Sequence, residues 1–85
     1  MKSDLVSGNG KTREQFVAAL VDAYHVTGLT PRTATLRLGA EVYPQFLRSE
    51  IDGAHTTLPG VGWFGIELAA ELEPWSGEFV EKERV

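Results

Sequence analysis

Three stretches of this chain carry residue types that could do chemistry. Gly10-Lys11-Thr12 has the lysine and hydroxyl with which a phosphate-binding loop ends. Such a loop needs a glycine five positions before Gly10, where this chain has Leu5, and a preceding strand, which the sequence does not predict. A helix cap is the expected role. Gly60-Val61-Gly62-Trp63-Phe64-Gly65 matches G-x-G-x-x-G letter for letter. That fingerprint works only inside a βαβ unit with an acidic residue about 20 positions on. The residues from Ile66 to Val85 are too few for a crossover and a second strand, so the glycines are expected to make a tight turn. Glu71, Glu73 and Glu78 flank a turn and resemble an acid/base pair, yet carboxylates around a hairpin turn are expected to be solvated surface. His25 and His55 are far apart, with no cysteine to share a metal, and His25 near a helix end reads as structural. There is no nucleophile elbow. The reading is a non-enzymatic chain with no catalytic residue, no metal and no cofactor.

The elements come next. Thr12 with Gln15 fits a capping box, and Phe16, Val17, Leu20, Val21 and Tyr24 form one apolar stripe of helical period. The spacing predicts a helix over about 12–27, stopped at Gly28. Thr30-Pro31 opens a second, with proline where its missing N–H costs nothing. Ala34, Leu38, Val42 and Phe46, joined by Leu47 and Ile51, would be its buried face over about 30–52, ended by Gly53. This helix is flawed: Gly39 costs about 1 kcal/mol against alanine and an interior Pro44 roughly 3 kcal/mol. It either bends or restarts at Pro44.

Beyond Gly53 the period changes. A short strand is expected over about 55–59, then the turn Pro59-Gly60-Val61-Gly62. Phe64, Ile66, Leu68, Ala70 and Leu72 alternate with Trp63, Gly65, Glu67, Ala69 and Glu71, predicting a strand over about 62–72. Its ELAAEL segment is also a good helix former. After the turn Pro74-Trp75-Ser76-Gly77, a third strand is expected over about 78–84. The order is α-α-β-β-β, one domain over 11–85 behind a flexible leader at 1–10.

Eighty-five residues bury only about 60–65% of their unfolded surface, a marginal core. Without cysteine there is no disulfide to help, and oligomerisation is the expected remedy. No apolar run reaches the roughly 18–20 residues of a membrane span, and the first residues lack a secretory apolar region. A cytoplasmic location follows as the default. The net charge is −4, and the whole imbalance lies beyond residue 52, where Lys82 and Arg84 face six glutamates. Phosphate binding wants the opposite sign.

From Thr12 to about Lys82 the chain resembles the bacterial HU/IHF nucleoid proteins. The resemblance rests on Gly28-Leu29-Thr30, on Gly53, on Leu58-Pro59-Gly60-Val61-Gly62-Trp63-Phe64, and on Glu73-Pro74-Trp75-Ser76-Gly77-Glu78 as the remnant of an arm tip. It implies two helices followed by a three-stranded antiparallel sheet, in an α+β chain that interlocks with a second copy. The implied dimer core is Phe16, Leu20, Leu38, Val42, Phe46, Phe64, Ile66 and Leu68. It also implies double-stranded DNA as partner, gripped by ribbons that end in a proline wedge. Lys11, Arg13, Arg32 and Arg48 on the body, Pro74 and Trp75 at the tip, and Lys82 and Arg84 on the last strand would make the contacts. The departures are a short arm, Glu67, Glu71 and Glu73 where basic residues belong, and no C-terminal helix. The resemblance makes a divergent, weak DNA-binding protein, architectural or regulatory, the expected function. The charge supports the alternative, an acidic protein-interaction module that has lost DNA, binding a basic protein or an HU-like chain as mimic, inhibitor or heterodimer partner. Trp75 would suit a hot spot there.

Overall fold

The structure, a computed structural model, describes residues 4–50 and 53–82. In chain order the elements are β1 (Val6–Ser7), α1 (Arg13–Thr27), β2 (Ala34–Leu38), α2 (Tyr43–Phe46), β3 (Arg48–Glu50), β4 (Gly53–Leu58), β5 (Gly62–Leu68) and β6 (Ser76–Glu81). The strands make one mixed sheet in the order β1-β6-β2-β5-β4-β3. β2 is central, parallel to β5 and antiparallel to β6.

Helix α1 forms as its caps dictate. The Gln15 amide donates to Thr12 Oγ1 at 3.1 Å and the Thr12 amide donates to Gln15 Oε1 at 2.9 Å, so both halves of the capping box are made. Gly28 closes the helix at φ 72°, a left-handed conformation that favours glycine. The Phe16, Leu20 and Tyr24 stripe packs on one face of the sheet. Tyr24 meets Phe64 edge-on at 5.0 Å and Phe79 at 5.6 Å, and Phe16 meets Phe46 at 5.9 Å. Burial of each such side chain stabilises by about 1.5–3 kcal/mol.

The HU/IHF-like architecture is overturned. The helix expected over 30–52 does not exist; that segment is β2, a turn, the single turn of α2, and β3. Ala34, Leu36 and Leu38 alternate inward while Thr35 and Arg37 point outward. Ala34, Leu38, Val42 and Phe46 are buried, but on a strand, a turn and α2 rather than on one helical face. Gly39 and Pro44, costly in a helix, mark the breaks. Gly53 begins β4 instead of ending a helix, and Ile51 lies outside the described residues. In place of three antiparallel strands the described residues form six, one pair parallel. Two of these changes touch the segment expected as a leader: Val6–Ser7 pairs with Ser76 and Gly77, and Val6 packs against the core.

The strand expected over 62–72 stops at Leu68, and the last strand begins at Ser76 rather than 78. Strand order explains both shifts. β6 lies on the far side of β2 from β5, so the chain after Leu68 must cross the end of β2. Ala69, fully buried, donates its amide to the Leu38 carbonyl at 2.8 Å. The 39–43 turn then hooks the crossing segment: Glu41 N donates to Pro74 O at 3.0 Å and Gly39 N to Ser76 O at 2.9 Å. Pro74 and Trp75 therefore form no projecting arm tip; they are held at the sheet's end from both sides, Gly8 N donating to Trp75 O.

Phe16, Leu20, Leu38, Val42, Phe46, Phe64 and Ile66 are buried within the single chain, whereas Leu68 is 52% exposed. With β2 supplying three inward apolar residues, one chain closes a core that two helices and three strands could not.

At Gly39 a Cβ would stand 2.0 Å from the Glu73 carbonyl oxygen and 2.7 Å from that of Pro74. Gly39→Ala should therefore cost about 3 kcal/mol and lower Tm by roughly 12–24 °C for a domain of this size. At Gly65 a Cβ would meet only Lys82 Cε, at 4.0 Å. Gly65→Ala should leave stability unchanged or raise it by up to about 1 kcal/mol. Thermal unfolding of the two variants checks the crossing directly.

Candidate functional site

The alternation that buries Leu36 and Phe79 sends their neighbours to the opposite face, which no helix covers among the described residues. Register places these outward residues in rows. Arg37 lies between Glu78 and Glu67, and Thr35 between Val80 and Gly65. Gly65 in turn pairs with His55, and His55 with Arg48. Beyond them Trp63 pairs with Thr57, and Lys82 N donates to Thr33 O at 2.7 Å. A depression of about 580 Å3 on this face is lined by Thr35, Arg37, Glu67, Val80, Glu81 and Lys82.

Arg37 is the polar centre of this face. Its Nε donates to Glu67 Oε1 at 3.1 Å, its Nη1 to Glu78 Oε2 at 3.3 Å, and its Nη2 to both oxygens of Glu71 at 2.8 and 2.7 Å. One guanidinium thus ties β2 to β5, to β6 and to the crossing segment. The fork suits this, because its donors diverge in one plane. Glu78 is the buried member, its side chain 5% exposed, against 25% for Arg37 and more than half for Glu67 and Glu71. The exposed pairs add little stability individually, while the buried carboxylate gains most from a fixed cation. The Glu71 hydrogen bond to Arg37 holds the Glu71 carboxyl below its ordinary range, and the same bond raises Arg37 further above its own.

Of the three glutamates expected at a solvated turn, Glu71 and Glu78 bind one arginine and Glu73 stays on the surface. Among the described residues no group of three His, Cys, Asp or Glu side chains is arranged to hold a metal ion, the guanidinium occupying the space between the carboxylates. The G-x-G-x-x-G stretch is the β4–β5 turn, with Gly60 at φ 72° and Gly62 at φ 105°. It leads into a strand, not a helix. The short strand β1 does precede Gly10-Lys11-Thr12, contrary to expectation. Thr12 caps α1, and Lys11 Nζ donates to Ser7 O at 2.8 Å.

The basic residues picked out by sequence are scattered. Lys11 and Arg13 lie at the start of α1, where they line a groove of about 210 Å3 together with Trp75; Arg13 stacks on Phe46, 4.5 Å from the ring centre. Arg32 is exposed in the turn before β2, and Arg48 is exposed on β3. Lys82 sits at the end of β6 on the open face, and Arg84 lies outside the described residues. Pro74 and Trp75 are exposed at the crossing. Sequence reasoning missed Arg37, Trp63 and Gly65 as site residues. The signal for Arg37 was period-two alternation through Thr33, Ala34, Thr35, Leu36, Arg37 and Leu38.

The sign of the pH effect follows from Glu71. Its folded-state value lies below its ordinary 4.5, so between the two the unfolded chain binds more protons and stability rises with pH. That contribution is complete above about pH 4.5 and is lost as pH falls through the depressed value. Glu71→Gln should flatten the acid limb of a Tm-against-pH curve and leave its slope above pH 6 unchanged. Arg37→Met should lower Tm at neutral pH, because it removes the one side chain that ties β2 to β5, to β6 and to the crossing segment.

No family model, curated protein or solved structure matches this chain, and the comparisons identify no family for it.

Proposed function

We propose that this chain is a non-enzymatic protein-interaction module that works through the uncovered face of its sheet. The observation that carries the proposal is Trp63, 53% exposed on that face near the start of β5. A large aromatic on a rigid strand, edge-on to His55 at 6.4 Å, is the residue type on which protein interfaces concentrate their affinity. The same face carries a depression, a half-buried Val80 and the threonines Thr35 and Thr57, the mixture of apolar and polar groups that interfaces use. Trp75, 41% exposed, is pinned at the sheet's end and is not part of this face. A cytoplasmic setting belongs to the same reading, since a chain without cysteine needs no oxidising compartment.

Charge weighs against the alternative, DNA. The net charge is −4, Arg37 is committed to three carboxylates, and of the other basic residues described Arg48 and Lys82 share the open face while Lys11, Arg13 and Arg32 lie away from it. A phosphate backbone needs several cations on one surface. With the projecting arm gone, Pro74 has no route to a wedge position.

Fluorescence anisotropy on labelled duplexes of about 30 base pairs, intact and nicked, separates the two. The expected result is no binding from low to physiological salt. Binding whose logarithm falls steeply with the logarithm of salt concentration would overturn the proposal.

A further inference from the structure

We infer that Asn9 is a site of self-modification, at which the Gly10 nitrogen closes a ring on the side-chain carboxamide, ammonia leaves, and water opens the ring to aspartate or isoaspartate. The isoaspartyl form loosens β1 from the sheet. The inference goes beyond the interaction-module reading and does not depend on the open face or its occupant.

Asn9 is the one asparagine of the chain, and a glycine follows it. A side chain on the following residue would crowd the attacking nitrogen, and glycine has none. Lys11 N donates to Gly8 O at 3.1 Å, so Asn9 and Gly10 are the central pair of a tight turn between β1 and α1. Both are exposed. Gly10 has φ 75°, and a Cβ placed on it would meet nothing within 4 Å. The backbone amide of Asn9 donates to Ser7 Oγ at 3.3 Å. Its carboxamide has no hydrogen-bond partner among the described residues, and neither has the Gly10 amide. Electrophile and nucleophile are therefore adjacent, uncommitted and open to water. The glutamines are placed differently: Gln15 is held in the capping box, while Gln45 donates to Glu41 O at 2.9 Å and precedes the bulky Phe46.

The step balances without any redox partner. The Gly10 nitrogen gives its proton to solvent and attacks Asn9 Cγ. The new N–Cγ bond closes a five-membered ring, the Cγ–Nδ2 bond breaks, and the leaving nitrogen takes up a proton and departs as ammonia. Water then adds to one of the two ring carbonyls. Addition at Cγ restores the ordinary chain with aspartate at position 9. Addition at the backbone carbonyl leaves the chain running through Cβ and Cγ, which is isoaspartate.

The isoaspartyl turn is longer by one main-chain atom, and its surroundings have little slack. Just before it, Gly8 N donates to Trp75 O, and a Cβ on Gly8 would stand 3.1 Å from that oxygen and 3.3 Å from Phe16 Cδ1. Just after it, Thr12 is fixed as the cap of α1, and Lys11 Nζ reaches back to Ser7 O at 2.8 Å. The weakest member of this set is β1, two residues long and paired only through Val6–Gly77 and Ser7–Ser76. It yields first. The aspartyl product keeps the original chain path and sets a carboxylate near the N-terminal end of α1, where negative charge is favourable.

The test is incubation of the full chain for days to weeks at mildly alkaline pH and physiological temperature, with mass spectrometry of the tryptic peptide of residues 3–11. Asn9 should give way to two products of equal mass, isoaspartate the larger share, and isoaspartyl methyltransferase should methylate that peptide. Asn9→Gln, which would need a larger ring, should stay unmodified. Conversion in the folded chain should run within about tenfold of that in urea, because a surface turn opens at little cost. The purified isoaspartyl form should exchange amide hydrogens over residues 4–8 faster than the Asn9→Asp variant and melt below it. Persistence of Asn9 overturns the inference, and so does aspartate as the sole product, the mark of direct hydrolysis. Conversion slower than in urea by more than about tenfold would show that the fold protects the turn, and overturns it as well. Equal melting of the isoaspartyl form and Asn9→Asp overturns the loosening of β1.

Discussion

Arg37 stands where β2, β5, β6 and the chain segment crossing the end of β2 meet, and its guanidinium touches a carboxylate from each of the other three. Its position depends on β2 being a strand. As an outward residue of a central strand, it has a paired glutamate on either side by register alone. The same alternation points Ala34, Leu36 and Leu38 into the core, all three fully buried. One five-residue strand thus defines both faces of the sheet, the apolar face that α1 covers and the polar face left open.

The crossing at the end of β2 is the second constraint, and it follows from the first. With β6 antiparallel to one edge of β2 and β5 parallel to the other, the β5–β6 connection must pass over Leu38 and Gly39. Backbone groups of the two turns satisfy one another there: Gly39, Glu41, Val42 and Ala69 donate, and Leu38, Pro74 and Ser76 accept. Buried backbone polar groups need such partners, and at Gly39 only glycine leaves room for the approach.

Local chemistry was legible in the sequence and long-range pairing was not. The Thr12–Gln15 capping box, the stop at Gly28 and the turn at Pro59–Gly62 each depend on residues a few positions apart, and each forms. β2 was obscured because Ala34, Leu38, Val42 and Phe46 recur every fourth residue, which is helical spacing, while Ala34, Leu36 and Leu38 recur every second. The penalties at Gly39 and Pro44 favoured the second pattern. ELAAEL satisfies strand and helix patterns alike; the crossing geometry makes it neither beyond Leu68. The arginine cluster joins residues 30 to 41 positions apart, so nothing local could announce it, although Glu71 and Glu78 stood out as carboxylates near one turn. The arm-tip resemblance at Glu73–Glu78 fails as a guide to the fold because those residues cross the end of β2, where Pro74, Trp75 and Ser76 accept backbone hydrogen bonds.

The central claim, that residues 34–38 form the middle strand of the sheet, is open to direct measurement by NMR on the labelled chain. The account predicts cross-strand nuclear Overhauser contacts from Leu36 to Ile66 on one side and to Phe79 on the other. It also predicts amide protons at Leu36 and Leu38 among the slowest to exchange. Sequential helical contacts, each residue to the third beyond it and continuous from about Ala34 to Phe46, would contradict it and remove the open face with it.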